Sequence, residues 1–402
     1  MKLLRRLLAL GAVLPACGSS TPSASSDAGI DVSTSDVFVD APAADAPAVD
    51  APPLDAPAPA DTAASVDAPI TVDVAPADVP AVDAPAPDSA VAADAGPPAP
   101  ATLFAPDSFV YQDVSHAAVD AESAAITAWL QSVGGWGFGR FQIDFSLDVL
   151  TAGPEVTPQR FTPSPGEFWL PDCDTDPVPL PAMGNVEGET GYACAGGGDC
   201  HLLVVQPSSH TLYEMWRANV TGTSFVGGCL AVWNTAVAPS PHGRGEQCTS
   251  ADAGGLPIAP MLFDADEVAA GSVNHAIRFI LPNARIRART YVHPATHATG
   301  AASGPATAPP YGARLRLRAD YPLARLPNDA ARAVARGLQR YGMILADGGN
   351  IALTARSDRH SVHRWADLMD SHALVGILVT DFQMVDGGTR YPFNGSCVRQ
   401  PR

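Results

Sequence analysis

Residues 18–105 carry fourteen Asp but no Glu, Lys or Arg, and Ala and Pro fill most of the space between the acids. The core of this stretch is a degenerate Asp-Ala-Pro repeat. Proline fixes φ and favours an extended polyproline II course, and the repeated carboxylates repel one another. With so few bulky apolar side chains the segment has no core to bury, so it is expected to stay disordered. At about 3.1 Å per residue its 88 residues reach roughly 270 Å at most. The fold must therefore come from residues 106–402. A stretch of that length fits one large domain, and no second linker interrupts it.

The chain opens with Lys2, Arg5 and Arg6 around the apolar run LLALGAVL, which is too short to span a bilayer as a helix. LPAC, Leu14 to Cys17, resembles a bacterial lipobox. The resemblance implies an export signal at residues 1–17, a lipid on Cys17 and, with Gly18 rather than Asp following it, an anchor at the outer membrane of a Gram-negative cell. Asp/Ala/Pro stalks like this one follow the lipid cysteine in similar lipoproteins of GC-rich bacteria. An ordinary secretory signal cut nearby is the other reading.

The net charge is −18, most of it contributed by the acidic stretch. The remainder is mildly acidic, which argues against a nucleic-acid partner. Cys17 apart, six cysteines remain: Cys173, Cys194, Cys200, Cys229, Cys248 and Cys397. In an exported chain they read as disulfides. CAGGGDC suggests Cys194–Cys200; Cys229–Cys248 is the next guess, leaving Cys173 for Cys397. No C-x-x-C supports a metal cluster.

Short apolar runs broken by Gly and Pro (HLLVVQP, FVGGCLAVWN, NHAIRFILP, ARLRLRADY, GMILADGG, NIALTAR, LVGILVTDFQMVD) read as strands. Asp120 can cap a helix over AESAAITAWLQ. Asn328 can cap another over DAARAVARGLQRY, with Gly342 in the C′ place. A third helix is expected from Val362 to Leu374. The expected fold is mainly β (α+β): a large β-sandwich-like domain with a few peripheral helices.

The stretch SADAGGLPIAPMLFDADEVAAGSVNHAIRF concentrates polar groups around strands and turns. Alternation puts His275 in an apolar row with Val273, Ile277 and Phe279, and Arg278 on the opposite face. Glu267 stands upstream as a candidate general acid or base, and Asp252 as a turn opener or a ligand-binding group. Asp347, at the end of YGMILADGG, either projects into a cleft or makes a hairpin turn. His293 and His297 have a zinc-like spacing, but Pro294 keeps His293 out of a helix, and no H-E-x-x-H occurs, so no metal site is assigned. A zinc hydrolase built on His201, His275 and His297 is the remaining metal alternative. EGETGYACAGGGDCHLLVV and YEMW place Glu187, Glu189, Asp199, His201 and Glu214 near aromatics, as a sugar-cleaving site requires. ARIRART (Arg285, Arg287, Arg289) and ARLRLRA (Arg314, Arg316, Arg318) read as arginine ladders that either form an anion-binding surface or pair with nearby acids. No G-x-S-x-G, Walker loop or G-x-G-x-x-G is present, and no cofactor is expected.

From Cys200 to Asp386 the chain resembles a family of uncharacterised secreted bacterial proteins, through SADAGGLPIAP, EVAAGSVNHAIRF, YVHPATH, PPYGARLRLRA and YGMILADGG. In that pattern a tryptophan stands at His293 and a glycine at Met261. The family has no established activity. The resemblance implies export and a common fold, and it makes Asp252, Glu267, His275, Arg278, His297 and Asp347 the residues to follow.

These readings combine into a surface-tethered hydrolase of an extracellular polysaccharide. Glu267 and Asp347 are its expected acid/base pair, assisted by His275. Asp252, Arg278, His297 and the ladder Arg314, Arg316 and Arg318 are expected to bind substrate. The alternative is a non-catalytic glycan-binding or adhesion module on a stalk.

Overall fold

The computed structural model describes residues 102–402. The expected export signal, the expected lipid site at Cys17 and residues 18–101 lie outside the described residues. Phe104, which the sequence reading assigns to the linker, is buried and meets Trp233 edge-on at 6.4 Å.

The described residues are mainly β, with several sheets and four α-helices. The principal sheet has six strands: β1 (Ile143–Leu147), β2 (Ile277–Leu281), β3 (Arg314–Leu317), β4 (Met343–Gly348), β5 (Leu353–Arg356) and β6 (Phe382–Met384). Their spatial order is β1-β5-β2-β4-β3-β6. β1 runs parallel to β5 and β2 parallel to β4, and the remaining neighbours are antiparallel. Period two gives the sheet two unlike faces. Ile277, Phe279, Leu315, Leu317, Met343 and Leu345 point into the large core. Trp136 lies at the centre of that core, against Phe141 at 4.6 Å, Phe382 at 5.4 Å and Phe279 at 6.4 Å. Each such ring withdrawn from water contributes about 1.5–3 kcal/mol before entropy is set against it.

A second sheet orders Val149–Thr151, Leu202–Gln206, Thr211–Met215 and Leu230–Asn234. Its strand Leu202–Gln206 is buried on both sides. Leu202 and Val204 enter one core, while Leu203 and Val205 enter another with Leu212 and Trp233. This explains the unbroken apolar run HLLVV, which has no polar face to show.

Helix α1 (Ser123–Ser132) forms just after Asp120, whose carboxylate accepts the Glu122 N–H at 2.8 Å. Helix α2 (Ala265–Ala269) starts in a capping box between Asp264 and Glu267. Helix α3 (Asp329–Arg340) is capped as expected, Asn328 Oδ1 accepting from Ala331 N at 2.8 Å, and Gly342 follows with φ +68°. A side chain at Gly342 would sit 2.7 Å from the Leu315 carbonyl, so the chain turns there only on glycine. The expected third helix shrinks to α4 (Trp365–Leu368).

Among the described residues three disulfides are present: Cys173–Cys229, Cys194–Cys200 and Cys248–Cys397. The small loop was legible from its glycines. The other two pairings correct the expected Cys229–Cys248 and Cys173–Cys397, because chain proximity carries no information about which long-range partners the sheets bring together. Three disulfides fit an oxidising compartment. Among the described residues no helix is long and apolar enough to cross a membrane.

Candidate functional site

The segment 250–262 wedges between the two sheets. Glu214, wholly buried on the second sheet, accepts the N–H groups of Ile258 at 2.8 Å and Ala259 at 2.7 Å and the Trp233 indole at 2.9 Å. Burial pushes its carboxyl up to about 7 against those donors. On the other side Gly254 N donates to Ala346 O at 2.8 Å. Gly255 holds φ +74°, and a Cβ there would stand 2.5 Å from the Cys248 carbonyl, which accounts for the Gly-Gly pair. Asp252 is thereby carried onto the polar face of the principal sheet.

There Arg278 meets it. Arg278 Nε and Nη2 donate to the two Asp252 oxygens, each at 2.9 Å. Arg278 Nη1 donates to Thr354 Oγ1 at 3.3 Å and Nη2 also reaches Asp347 Oδ2 at 3.3 Å. Asp252 is fully buried and the Arg278 side chain is 5 % exposed, whereas Asp347 keeps 22 %. Asp347 reaches this face through a bulge. The register of β4 slips between Leu345 and Asp347, so Asp347 pairs with Ile280 and shares the side of Arg278. Its Oδ1 accepts the Gly348 N–H at 2.7 Å. Burial raises the Asp347 carboxyl well above the ordinary carboxylate range, and the Asp252 charge adds to this, outweighing the opposing pull of Arg278. The result is a carboxyl group that favours its proton and touches solvent.

Two further groups adjoin. His297 donates from Nδ1 to Ala253 O at 2.7 Å and meets Phe393 edge-on at 4.3 Å; burial lowers it to about 4, so it stays neutral. His201 lies with Nδ1 2.6 Å from Glu187 Oε2 and Nε2 3.1 Å from the Ala251 carbonyl. Both partners accept, so both nitrogens donate and the ring is an imidazolium. Burial works against both charges, but each charge sustains the other: His201 rises to about 9 and Glu187 falls to about 2. Arg278 acts on both residues of this pair.

The exposed Asp199 adds to the negative field at Asp347. Its Oδ1 accepts from the Trp216 indole at 3.0 Å, and Trp216 stacks on Trp169 with centroids 6.0 Å apart and planes 18° from parallel. The stretches around Cys200 and around Asp252, more than fifty residues apart, thus supply one site. Asp144 on β1 also belongs to it, opposite Thr354. Burial raises its carboxyl, and both Glu187 and Arg278 act on it. The sequence reading passed over Asp144; an acid within the strand pattern FQIDFSL was the signal available.

Other expected members are elsewhere. Glu267 and His275 pair with each other at 3.4 Å, both buried; Glu267 is engaged in the α2 capping box and His275 Nδ1 donates to its neighbour's carbonyl, Ala276 O, at 2.8 Å. Among the described residues no hydrogen bond or ion pair links either to Asp347, so the expected acid/base pair of Glu267 with Asp347 is not assembled. Glu267 closes a helix start instead. The strand expected over Ser272–Phe279 begins only at Ile277, which removes His275 from the alternating row.

The arginine ladders do not form a basic surface. Arg314 and Arg316 share the face of Arg278 by register, but they are buried and donate to main-chain carbonyls: Arg314 to Tyr341, Phe109 and Gln112, Arg316 to Val114, Ser115 and Ala117. They pin the segment before α1 to the sheet. Arg318 is exposed beside Asp320 at 3.2 Å. Arg285 ends a 3-10 turn and donates to Gly135 and Trp136 carbonyls, so ARIRART is not a strand.

Comparison with known protein families, with curated proteins and with solved structures finds no match to this chain.

Proposed function

We propose that the cluster around Asp347 is the active site of a hydrolase acting on an extracellular polysaccharide. The observation that carries this reading is the Asp347 carboxyl itself, made harder to ionise by burial and by Asp252 and in contact with Arg278, yet still 22 % exposed to solvent. Asp347 is the proton donor to a leaving glycosidic oxygen, and the exposed Asp199 is the second carboxylate. The stacked Trp169 and Trp216 offer a flat apolar surface of the kind a sugar ring packs against. Asp252 and Arg278 fix the Asp347 environment from beneath.

The test is release of reducing ends from a panel of neutral and acidic polysaccharides by the disulfide-bonded protein. Asp347→Asn is expected to abolish release and Asp199→Asn to lower it by about 100-fold or more, in the range a general acid or base supplies. Glu267→Gln should release as much per folded molecule as the parent. Full activity of Asp347→Asn defeats the assignment.

The Trp169–Trp216 stack also favours a second reading, a glycan-binding module without catalysis. Retention on a polysaccharide column, lost in Trp216→Ala, with no cleavage by any variant, selects it. Under either reading the disulfides agree with export, and the proposed location is the outer membrane of a Gram-negative cell, held by lipid on Cys17. A Cys17→Ser variant that still partitions with membranes rules out that anchor.

A further inference from the structure

A second cluster is built from none of the residues just assigned. His242 and Glu246 come from the turn SPHGRGEQC, and His293 from YVHPATH. His242 Nδ1 stands 2.6 Å and His293 Nε2 2.7 Å from the same oxygen, Glu246 Oε1. One ligand-type atom from each of the three residues falls within 4.8 Å of the other two.

The surroundings fix Glu246 and His293. The other Glu246 oxygen accepts from Tyr291 Oη at 2.5 Å, and Tyr291 Oη in turn accepts from Gln247 Nε2 at 2.9 Å. The His293 ring stacks on Tyr391 at 4.6 Å, and Tyr391 stacks on Tyr291 at 5.4 Å. The Glu246 turn is strapped by the C-terminal tail. Val398 N donates to Glu246 O at 3.0 Å, Gln400 N to Arg244 O at 2.9 Å, and Cys248–Cys397 closes the strap. Gly245, at φ +134°, permits this approach, since a Cβ there would lie 2.1 Å from the Val398 carbonyl.

Two imidazoles directed at one carboxylate oxygen do with protons what a divalent cation does with one positive centre. We propose that His242, Glu246 and His293 bind Zn2+. Imidazole nitrogen and carboxylate oxygen are its preferred ligands, at about 2.0–2.2 Å. Seating the ion opens the two N···O contacts to roughly 3.3 Å, the spacing of tetrahedral ligands at those bond lengths. Small rotations of the half-exposed His242 and the largely buried His293 supply this movement. The hydroxyl of Tyr291 orients the carboxylate from outside, as outer-sphere partners of metal ligands do. The half-exposed flank at His242, whose side chain is 49 % accessible, leaves the fourth position to water or to an anionic ligand. The expectation of no metal site considered His293 only with His297. In the structure His297 turns to Ala253, and the partners of His293 come from a turn about fifty residues earlier.

Zinc binding is tested on the whole disulfide-bonded protein, stripped with a chelator and titrated with ZnCl2 near neutral pH by calorimetry, with bound metal counted by elemental analysis. One Zn2+ per chain is expected. His242→Ala and Glu246→Gln should abolish tight binding, and Tyr291→Phe should weaken it by about 10–100-fold. His242 is exposed enough for its variant to keep the parent circular dichroism, so loss of binding there is not loss of fold. Co2+ in place of zinc should give the intense visible absorption of a tetrahedral site. No bound zinc in the parent, or stoichiometric zinc retained in both His242→Ala and Glu246→Gln, overturns the proposal.

Discussion

Asp347 and Arg278 lie on the same side of the principal sheet because one residue of β4 bulges out. The slip between Leu345 and Asp347 reverses the side that Asp347 faces and brings Oδ2 to 3.3 Å from Arg278 Nη2. The carbonyl of the bulged Ala346 is taken by Gly254 N at 2.8 Å, so the loop that delivers Asp252 also stabilises the bulge that delivers Asp347.

The Asp252–Arg278 pair is buried and bidentate, which makes its partners strongly interdependent. Arg278→Met is expected to destabilise the protein by about 3–5 kcal/mol, because it leaves an uncompensated carboxylate in the interior. Asp252→Asn/Arg278→Met together should cost less than Arg278→Met alone. Urea unfolding of the parent, the single variant and the double variant checks this; strict additivity refutes it.

Asp347 should leave a signature in stability against pH. Its folded pKa is raised above the ordinary 3.8 by burial and by Asp252. Such an acid costs nothing below its unfolded pKa, and its penalty grows as pH climbs from there through the folded value. Asp347→Asn cannot ionise and escapes the penalty. Its melting temperature relative to the parent should therefore rise as pH climbs above about 4. A difference that is flat with pH contradicts the assignment.

The Glu187–His201 pair predicts a window rather than a slope. Glu187, depressed to about 2, contributes stability above its unfolded value of 4.5 and loses it as pH falls toward 2. His201, raised to about 9, contributes below 6.5 and loses that as pH rises through 9. The pair is worth most between those unfolded values, at about pH 4.5–6.5. The destabilisation caused by Glu187→Gln should peak there and shrink on both sides, as read from thermal melts across pH.

The disulfides should differ in weight. Cys248–Cys397 joins positions 149 residues apart and Cys194–Cys200 positions 6 apart. Loop-closure entropy assigns about 5 kcal/mol to the first and about 2 kcal/mol to the second. The double variants Cys248→Ala/Cys397→Ala and Cys194→Ala/Cys200→Ala should follow that order in denaturant midpoint. Peptide mapping without reduction should recover the Cys173–Cys229 peptide.

Much of the candidate site was legible one residue at a time. Asp252, Arg278, His297 and Asp347 all stand at or beside it, and the carboxylates around Cys200 were marked separately. Their union was not legible, because the pairing that joins the stretches runs through Glu214 and a loop, over distances that local periodicity does not report. Glu267 and His275 had the same local appearance as Asp347. Capping geometry, settled only when α2 packs, turned them into a structural pair. The arginine alternation in ARLRLRA did predict a strand. Whether its guanidinium groups faced solvent depended on the segment 109–117 lying over them.

By itself the sequence determined that the chain is mainly β, where strands such as Leu202–Gln206 and Arg314–Leu317 form, where α3 begins and ends, and that paired cysteines would staple the chain. These follow from alternation, caps and composition, which act over a few residues. Tertiary structure alone decided the long-range disulfide partners, the bulge that turns Asp347 toward Arg278, and which acids lose water. Those outcomes depend on what each group is packed against, and a carboxyl group's proton affinity is set by the burial and the neighbouring charges that the finished fold supplies.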